Sequence, residues 1–246
     1  MKETAMVTRD WLRTVVPLGE YQGARWVPRG AGVVMSHKGT VWLVTSGRAV
    51  TAGRELVAIV EGEGGRAGEV PFGGTRGSSG WFVNTALDVA VHQFPQARET
   101  VVRILTEKDC ASLTDTQPGT AAYTLGCPYG LAGMDPSRPA VLALSGIVSG
   151  VNPHDATVFT TAGSFHGNSG GPLLVRREGG DLAFAGLVVG VAAIRGPEEG
   201  APPVHLGVAR SADAIWRSLS NMKLGTEPPR SAKSKGPPPS TKKKLN

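Results

Sequence analysis

The chain has 246 residues, 40% hydrophobic and 19% charged, with 34 glycines, 18 prolines and a formal net charge of +6. That length can bury a real core, as one large all-β domain or two small subdomains. Its longer apolar runs, such as "LVVGVAAI" (187–194), are too short to cross a bilayer as a helix, so no membrane contact is expected.

The first twenty residues, "MKETAMVTRDWLRTVVPLGE", are broken by Glu3, Arg9, Asp10 and Arg13. They lack the apolar core and small-residue cleavage site of a secretory signal, which points to a cytoplasmic protein. A short helix is predicted around residues 3–15, within an N-terminal extension covering 1–24. Strand-like runs then follow closely: "GAGVVMS" (30–36), "TVWLVTS" (40–46), "RELVAIV" (54–60), "WFVN" (81–84) and "LDVAVHQF" (87–94). They are rich in Val, Leu and aromatics and bounded by glycine or polar turns, as half-buried strands require. A second set begins near 120: "AAYTLGCP", "AVLALSGIVSGV", "VFTTAG", "GGPLLVRR", "LAFAGLVVGVAAI" and "HLGVA". No helical segments alternate with these strands, which excludes a doubly wound α/β sheet.

"SADAIWRSLSNM" (211–222) closes the fold as a helix. Ser211 can cap it, Asp213 lies in its first turn, and Ala214, Ile215, Trp216 and Leu219 form an apolar face. The chain thus divides into the extension, a first barrel-like unit (25–105), a second with the closing helix (106–222), and a Pro/Lys tail (223–246). Residues 226–246 hold +5 of the net +6, leaving +1 for the remainder. Such a composition cannot bury apolar surface, so disorder is expected there. The "KKK" run serves either as a solubilising end or as a weak contact for a polyanion. Cys110 and Cys127, the only cysteines, are expected to be reduced and structural. Neither belongs to a CxxC or Cys/His cluster, so no metal site and no cofactor is implied.

The chemistry concentrates in "SFHGNSGGPLLV" (164–175). Gly167 permits a backbone conformation barred to other residues. That leaves the N–H groups of Gly167 and Ser169 free to act as an oxyanion hole, with Ser169 as nucleophile. Gly170 and Gly171 would keep bulk away from an approaching carbonyl. The segment also satisfies G-x-S-x-G, the nucleophile elbow of α/β-hydrolases, but that elbow must lead from a strand into a helix. Here it leads into the strand "PLLV", and the partners it would need, Asp181 or Asp213 with His205, are forced choices.

"GNSGGPLLV" resembles the serine loop of trypsin-like, chymotrypsin-fold serine peptidases, especially the bacterial Deg/HtrA-type branch. "GAGVVMS", "WLVTSGRAV", "LDVAVHQF", "GLVVGVAAI" and "HLGVARSADAI" agree with that family in chain order, over about residues 25 to 220. The resemblance implies two orthogonal six-stranded β-barrels with a C-terminal helix, a site in the cleft between them, and Asp88 as the carboxylate that orients the base. Secreted trypsins carry Asp before the serine to receive a cut amino terminus. Asn168 stands there instead, as in the branch that needs no such cleavage.

The departure lies at the base itself. The family pattern Val-Thr-x-x-His reads Val44-Thr45-Ser46-Gly47-Arg48 here, with Arg48 in the histidine's place. A general base must take the serine proton with a pKa near the operating pH, whereas a guanidinium stays protonated. Of the other imidazoles, His37 falls on a hairpin turn, and His92 lies roughly 13 Å along the strand from Asp88. His154 is in a loop and His205 opens the last strand. His166, three residues before Ser169, reads as a rim residue or a solvent-exposed one. Arg48 itself either pairs with Asp88 across the cleft or bends out to solvent.

Two functions follow. One is a catalytically impaired or inactive pseudoprotease that keeps an oxyanion loop and holds a peptide or protein segment in the inter-barrel cleft. The other is an active serine endopeptidase acting through Ser169. The substrate pocket in either case is assigned to Gly163, Ser164 and His166 and to Val189, Gly190 and Val191. With no acid at its base, it suits small or apolar side chains, unless the loop 195–203 brings Glu198 and Glu199 to its mouth.

Overall fold

The computed structural model describes residues 6–50, 55–62, 65–73, 80–131, 139–194 and 203–221. The basic tail and all but the last residue of the loop 195–203, with Glu198 and Glu199, lie outside the described residues.

The N-terminal helix is a single turn, α1 (Arg9–Leu12), shorter than predicted. Thr14, Val15 and Val16 are β-branched, and Pro17 pushes the residue before it out of the helical region. The chain therefore becomes strand β1 (Val16–Gln22) at once. Then come β2 (Arg25–His37), β3 (Thr40–Ser46), the one-turn α2 (Gly47–Val50), β4 (Leu56–Glu61), β5 (Ala67–Phe72), β6 (Phe82–Asn84), β7 (Val89–Gln93) and β8 (Ile104–Leu105). Neither β1 nor β5 was foreseen, because Pro17 and Gly19, or Gly68 and Pro71, break the apolar pattern that announces a strand. Gly19 is needed where it stands: a side chain there would run into the Trp26 ring.

These eight strands form one sheet in the order β5-β4-β1-β2-β3-β7-β6, with β8 parallel to β2. Six strands in a closed barrel were expected; among the described residues the first unit has eight, on an open path. The thirteen-residue β2 is the reason. Its first half holds β1, and past Gly32 the vacated edge takes β8 at Val34 and Met35. The second unit is a closed six-stranded barrel, β10-β11-β14-β13-β12-β9. Its strands are β9 (Ala121–Gly126), β10 (Leu142–Asn152), β11 (Thr157–Thr160), β12 (Pro172–Arg176), β13 (Leu182–Ile194) and β14 (Val204–Ser211). Helix α3 (Ala212–Asn221) follows, and Ser211 Oγ accepts the Ala214 N–H at 3.3 Å, as its capping role requires.

Each unit has its own apolar interior, and a third cluster joins them. Ala31, Val44 and Val91 from the first sheet pack with Leu125, Leu174 and Leu187 from the second barrel and Ile215 from α3. Burying each Val or Leu side chain is worth about 1.5–3 kcal/mol. The seam between the units is therefore held by packing, and polar groups along it are available for other work. Both thiols remain unpaired. Burial pushes Cys110 up to about 11, although Trp216 Nε1–H donates to its sulfur, and pushes Cys127 up to about 12. Both are neutral near pH 7, as befits structural residues.

Among the described residues, no helix is long and apolar enough to cross a membrane.

Candidate active site

The site is assembled from three turns that meet along the seam. The first is α2, directly after β3. Gly47 opens it because a Cβ there would lie 2.9 Å from Asp88 Oδ1, and its N–H donates to the Asp88 carbonyl at 2.8 Å. The second is the turn between β6 and β7, which ends on Asp88 with φ +54°. Aspartate is one of the few side chains that tolerate this left-handed conformation. Asn84 Oδ1 accepts the Leu87 N–H at 3.2 Å to close the turn, and Arg210 of β14 donates to the Leu87 carbonyl at 3.0 Å. The second barrel thereby helps to hold Asp88 in place.

Asp88 holds Arg48 at two points. The Arg48 backbone N–H reaches Oδ1 at 3.0 Å, and Nε–H reaches Oδ2 at 2.7 Å. Nη2 then donates to the Val189 carbonyl at 2.7 Å. This carbonyl falls at the irregularity between Val188 and Gly190 in the β13–β14 ladder. Gly190 makes room for the guanidinium, since a Cβ there would sit 3.0 Å from Nη2. Of the two arrangements open to Arg48, the ion pair is therefore the one adopted. It is a solvated pair, with the arginine side chain 69% exposed and the aspartate 22%. Screening keeps such pairs weak, so Arg48→Ala is expected to cost about 1 kcal/mol or less of stability. Urea unfolding checks this, and a loss of several kcal/mol would make Arg48 a structural keystone instead.

The third turn carries Ser169. Gly167 has φ +101° and Gly170 φ +87°. Asn168 N–H donates to Phe165 O (2.9 Å), Gly170 N–H to Val188 O (2.6 Å) and Gly171 N–H to Asn168 O (2.8 Å). Between them, the N–H groups of Gly167 and Ser169 make no hydrogen bond among the described residues. The His166 carbonyl accepts from Tyr129 N–H at 2.7 Å. In a planar trans peptide, that directs the Gly167 N–H the opposite way. The loop is tied to the first sheet by Ala31 N–H donating to the Ser169 carbonyl at 2.8 Å. Gly170 and Gly171 serve a different purpose from the open approach expected of them. Side chains there would strike the Ala31 carbonyl and Thr45 Oγ1, or the Leu125 carbonyl, so their bareness permits close backbone packing.

No imidazole hydrogen-bonds to Ser169 among the described residues. His37 lies against the Trp216 ring, 5.4 Å between centroids, with burial lowering its pKa. His92 packs on Phe72 and Trp81. His154, His166 and His205 are exposed.

Of the residues assigned to the pocket, Ser164 and Val191 both adjoin Gly207 of β14. Val191 of β13 pairs with Gly207 of β14, and a Cβ at Gly207 would stand 3.5 Å from that of Ser164. Thr124 Oγ1 donates to the Gly163 carbonyl at 2.5 Å and anchors that wall. Two further residues, Phe165 and Tyr129, went unremarked in the sequence. Phe165 folds over Gly163, where a Cβ would lie 3.0 Å from its ring, and faces Tyr129 at 6.0 Å between centroids. Asn168 is fully buried against Gly126, and its carboxamide has no hydrogen-bond partner among the described residues. A neutral amide bears that burial far better than an aspartate would. Of Phe165 and Tyr129, only Phe165 stood within a segment already marked for the pocket. A separate apolar groove of about 230 Å³, lined by residues including Leu12, Ile59, Val102 and Val141, does not include Arg48, Asp88 or Ser169.

Two β units joined along a packed seam, with a glycine-caged serine on one side and an aspartate turn on the other, define a chymotrypsin-like fold. The family model described as a trypsin-like peptidase domain matches residues 30–207, and the chain belongs to that family. Its fold is similar to that of the MamO protease domain from Magnetospirillum magneticum, at 20% identity and a TM-score of 0.57, covering 86% of this chain and 98% of that one. A serine endoprotease from Yersinia pestis gives 19% and 0.55, covering 89% and 67%. The HtrA-type protease AlgW, solved with a tripeptide, gives 16% and 0.53, covering 85% and 60%. No curated protein sequence matches this chain.

Proposed function

We propose that the chain is a peptide-binding pseudoprotease, in which Arg48 takes the place of the family's general-base histidine. The observation that carries this reading is the Arg48–Asp88 pair at 2.7 Å. The carboxylate that would orient an imidazole is committed to a permanent cation, and a permanent cation accepts no proton from Ser169. What remains is a binding cleft. Pairing of β12 with β13 ends at Leu187 and the Val189 carbonyl is taken by Arg48, so the run from Gly190 to Ile194 offers an edge on which an extended peptide can add as a strand. The walls around Gly163, Ser164, Gly190 and Val191 suit a small or apolar side chain.

An active endopeptidase is favoured by one feature, the unbonded Gly167 and Ser169 N–H groups, which are what an oxyanion hole needs. The two readings part on a single experiment. The purified chain, treated with a fluorophosphonate probe and with casein, is expected to show neither labelling of Ser169 nor turnover. Oxyanion and binding effects alone leave only roughly 10³–10⁴-fold acceleration over water, too slow to register as proteolysis. Stoichiometric labelling with casein cleavage overturns the pseudoprotease reading.

A further inference from the structure

We infer that the Ser169 cleft binds the C-terminal carboxylate of a peptide, so that the chain holds free chain ends and not the interior of a polypeptide. This rests on the pseudoprotease reading and specifies its ligand. Two backbone donors, the N–H groups of Gly167 and Ser169, flank Ser169 without hydrogen bonds among the described residues. Paired donors of this kind bind a neutral carbonyl weakly and an anionic oxygen strongly. In a working peptidase the anion is made in place, when serine attacks the carbonyl and the base removes its proton. A site without the base makes no such anion. The group at a peptide's end that arrives already charged is its terminal carboxylate, and capture of that group by backbone N–H donors is a known recognition mode.

Arg48 adds to this in a way an imidazole would not. Its Nη2 sits on the Val189 carbonyl, while the neighbouring Val188 carbonyl takes the Gly170 N–H. The cation and the Ser169 loop thus meet on successive residues of β13. Asp88 engages the same guanidinium through Nε, while Nη2 reaches on to β13. The positive group is held between the carboxylate and the strand whose Val188 carbonyl takes the Gly170 N–H of the serine loop. A terminal carboxylate whose oxygens lie on the Gly167 and Ser169 N–H groups is drawn by that charge, with its last side chain between the 163–166 and 189–191 segments.

The test compares dye-labelled penta-alanine carrying a free carboxylate with the same peptide ending in a carboxamide. Fluorescence anisotropy measures affinity, and the amide resonances of Gly167 and Ser169 report the contact. The free acid is expected to bind about tenfold or more tightly than the amide and to shift both resonances. Arg48→Gln, which keeps a polar side chain but removes the charge, is expected to narrow the preference for the acid over the amide several-fold. Equal affinities, shifts confined to other residues, or no binding of either peptide up to about 1 mM overturns the inference. Its failure is distinct from that of the function it rests on. Equal affinities without fluorophosphonate labelling sink only the carboxylate preference, whereas labelling and turnover sink the pseudoprotease reading whatever the affinities.

Discussion

Arg48→His is expected to raise fluorophosphonate labelling of Ser169 by roughly 10²–10⁴-fold, the range that a positioned general base supplies. The substitution asks little of the surroundings. Gly47 and the Asp88 turn are already fitted to each other, with Gly47 N–H on the Asp88 carbonyl and the residue-48 N–H on Oδ1. Oδ2, now engaged by Arg48 Nε, would accept the imidazole Nδ1–H. That bond selects the tautomer whose other nitrogen can take the serine proton. Removing the long side chain also releases the Val189 carbonyl. Labelling rates with a fluorophosphonate at neutral pH, measured beside Ser169→Ala as the blank, give the result directly. A folded Arg48→His protein that labels no faster than the parent would show that the identity of residue 48 does not limit the chemistry.

Gly170→Ala is expected to destabilise the protein by about 3 kcal/mol or more, the largest loss that a single methyl group can cause near this site. The residue has φ +87°, and an added Cβ would be driven into the Ala31 carbonyl and Thr45 Oγ1. Neither neighbour can yield easily. Ala31 is fully buried in β2 and its N–H is committed to the Ser169 carbonyl, while Thr45 Oγ1 donates to the Ala31 carbonyl at 2.6 Å. For a chain of this size the loss corresponds to a Tm lowered by roughly 6–12 °C. Calorimetry checks it, and a Tm within about 1 °C of the parent would mean that the loop and β2 are not packed as described. Beside the small effect expected of Arg48→Ala, this separates two kinds of residue. On the proposed reading Arg48 sets the chemistry and contributes little stability, while Gly170 contributes no reacting group and packs the serine loop against β2.

Much of this could be read from residues in order. Strands such as "TVWLVTS" and the capped helix from Ser211 announce themselves because their apolar spacing and end signals are local. So does the serine loop, where glycines at fixed offsets are required by backbone geometry alone. An arginine following Val44-Thr45-Ser46-Gly47 was equally plain, since it is read from residue order alone. Other features left no such mark. β1 and β5 hide behind proline and glycine, and their strand character comes from pairing with distant segments, such as Leu18 with Ala58. The eight-stranded first sheet depends on how far β2 extends past β1, which no local pattern encodes.

Composition, spacing and motif thus determined the class of fold, the nucleophile candidate and the absence of a titratable ring after Gly47, because each depends on residue identity at short range. Tertiary structure alone decided what Arg48 does. Its choice between solvent and Asp88, and its reach to a carbonyl 141 positions away, depend on two β units closing face to face. That closure is set by buried area summed over the Ala31, Val44, Leu125 and Leu187 seam, a quantity spread across the whole chain and carried by no single stretch of it.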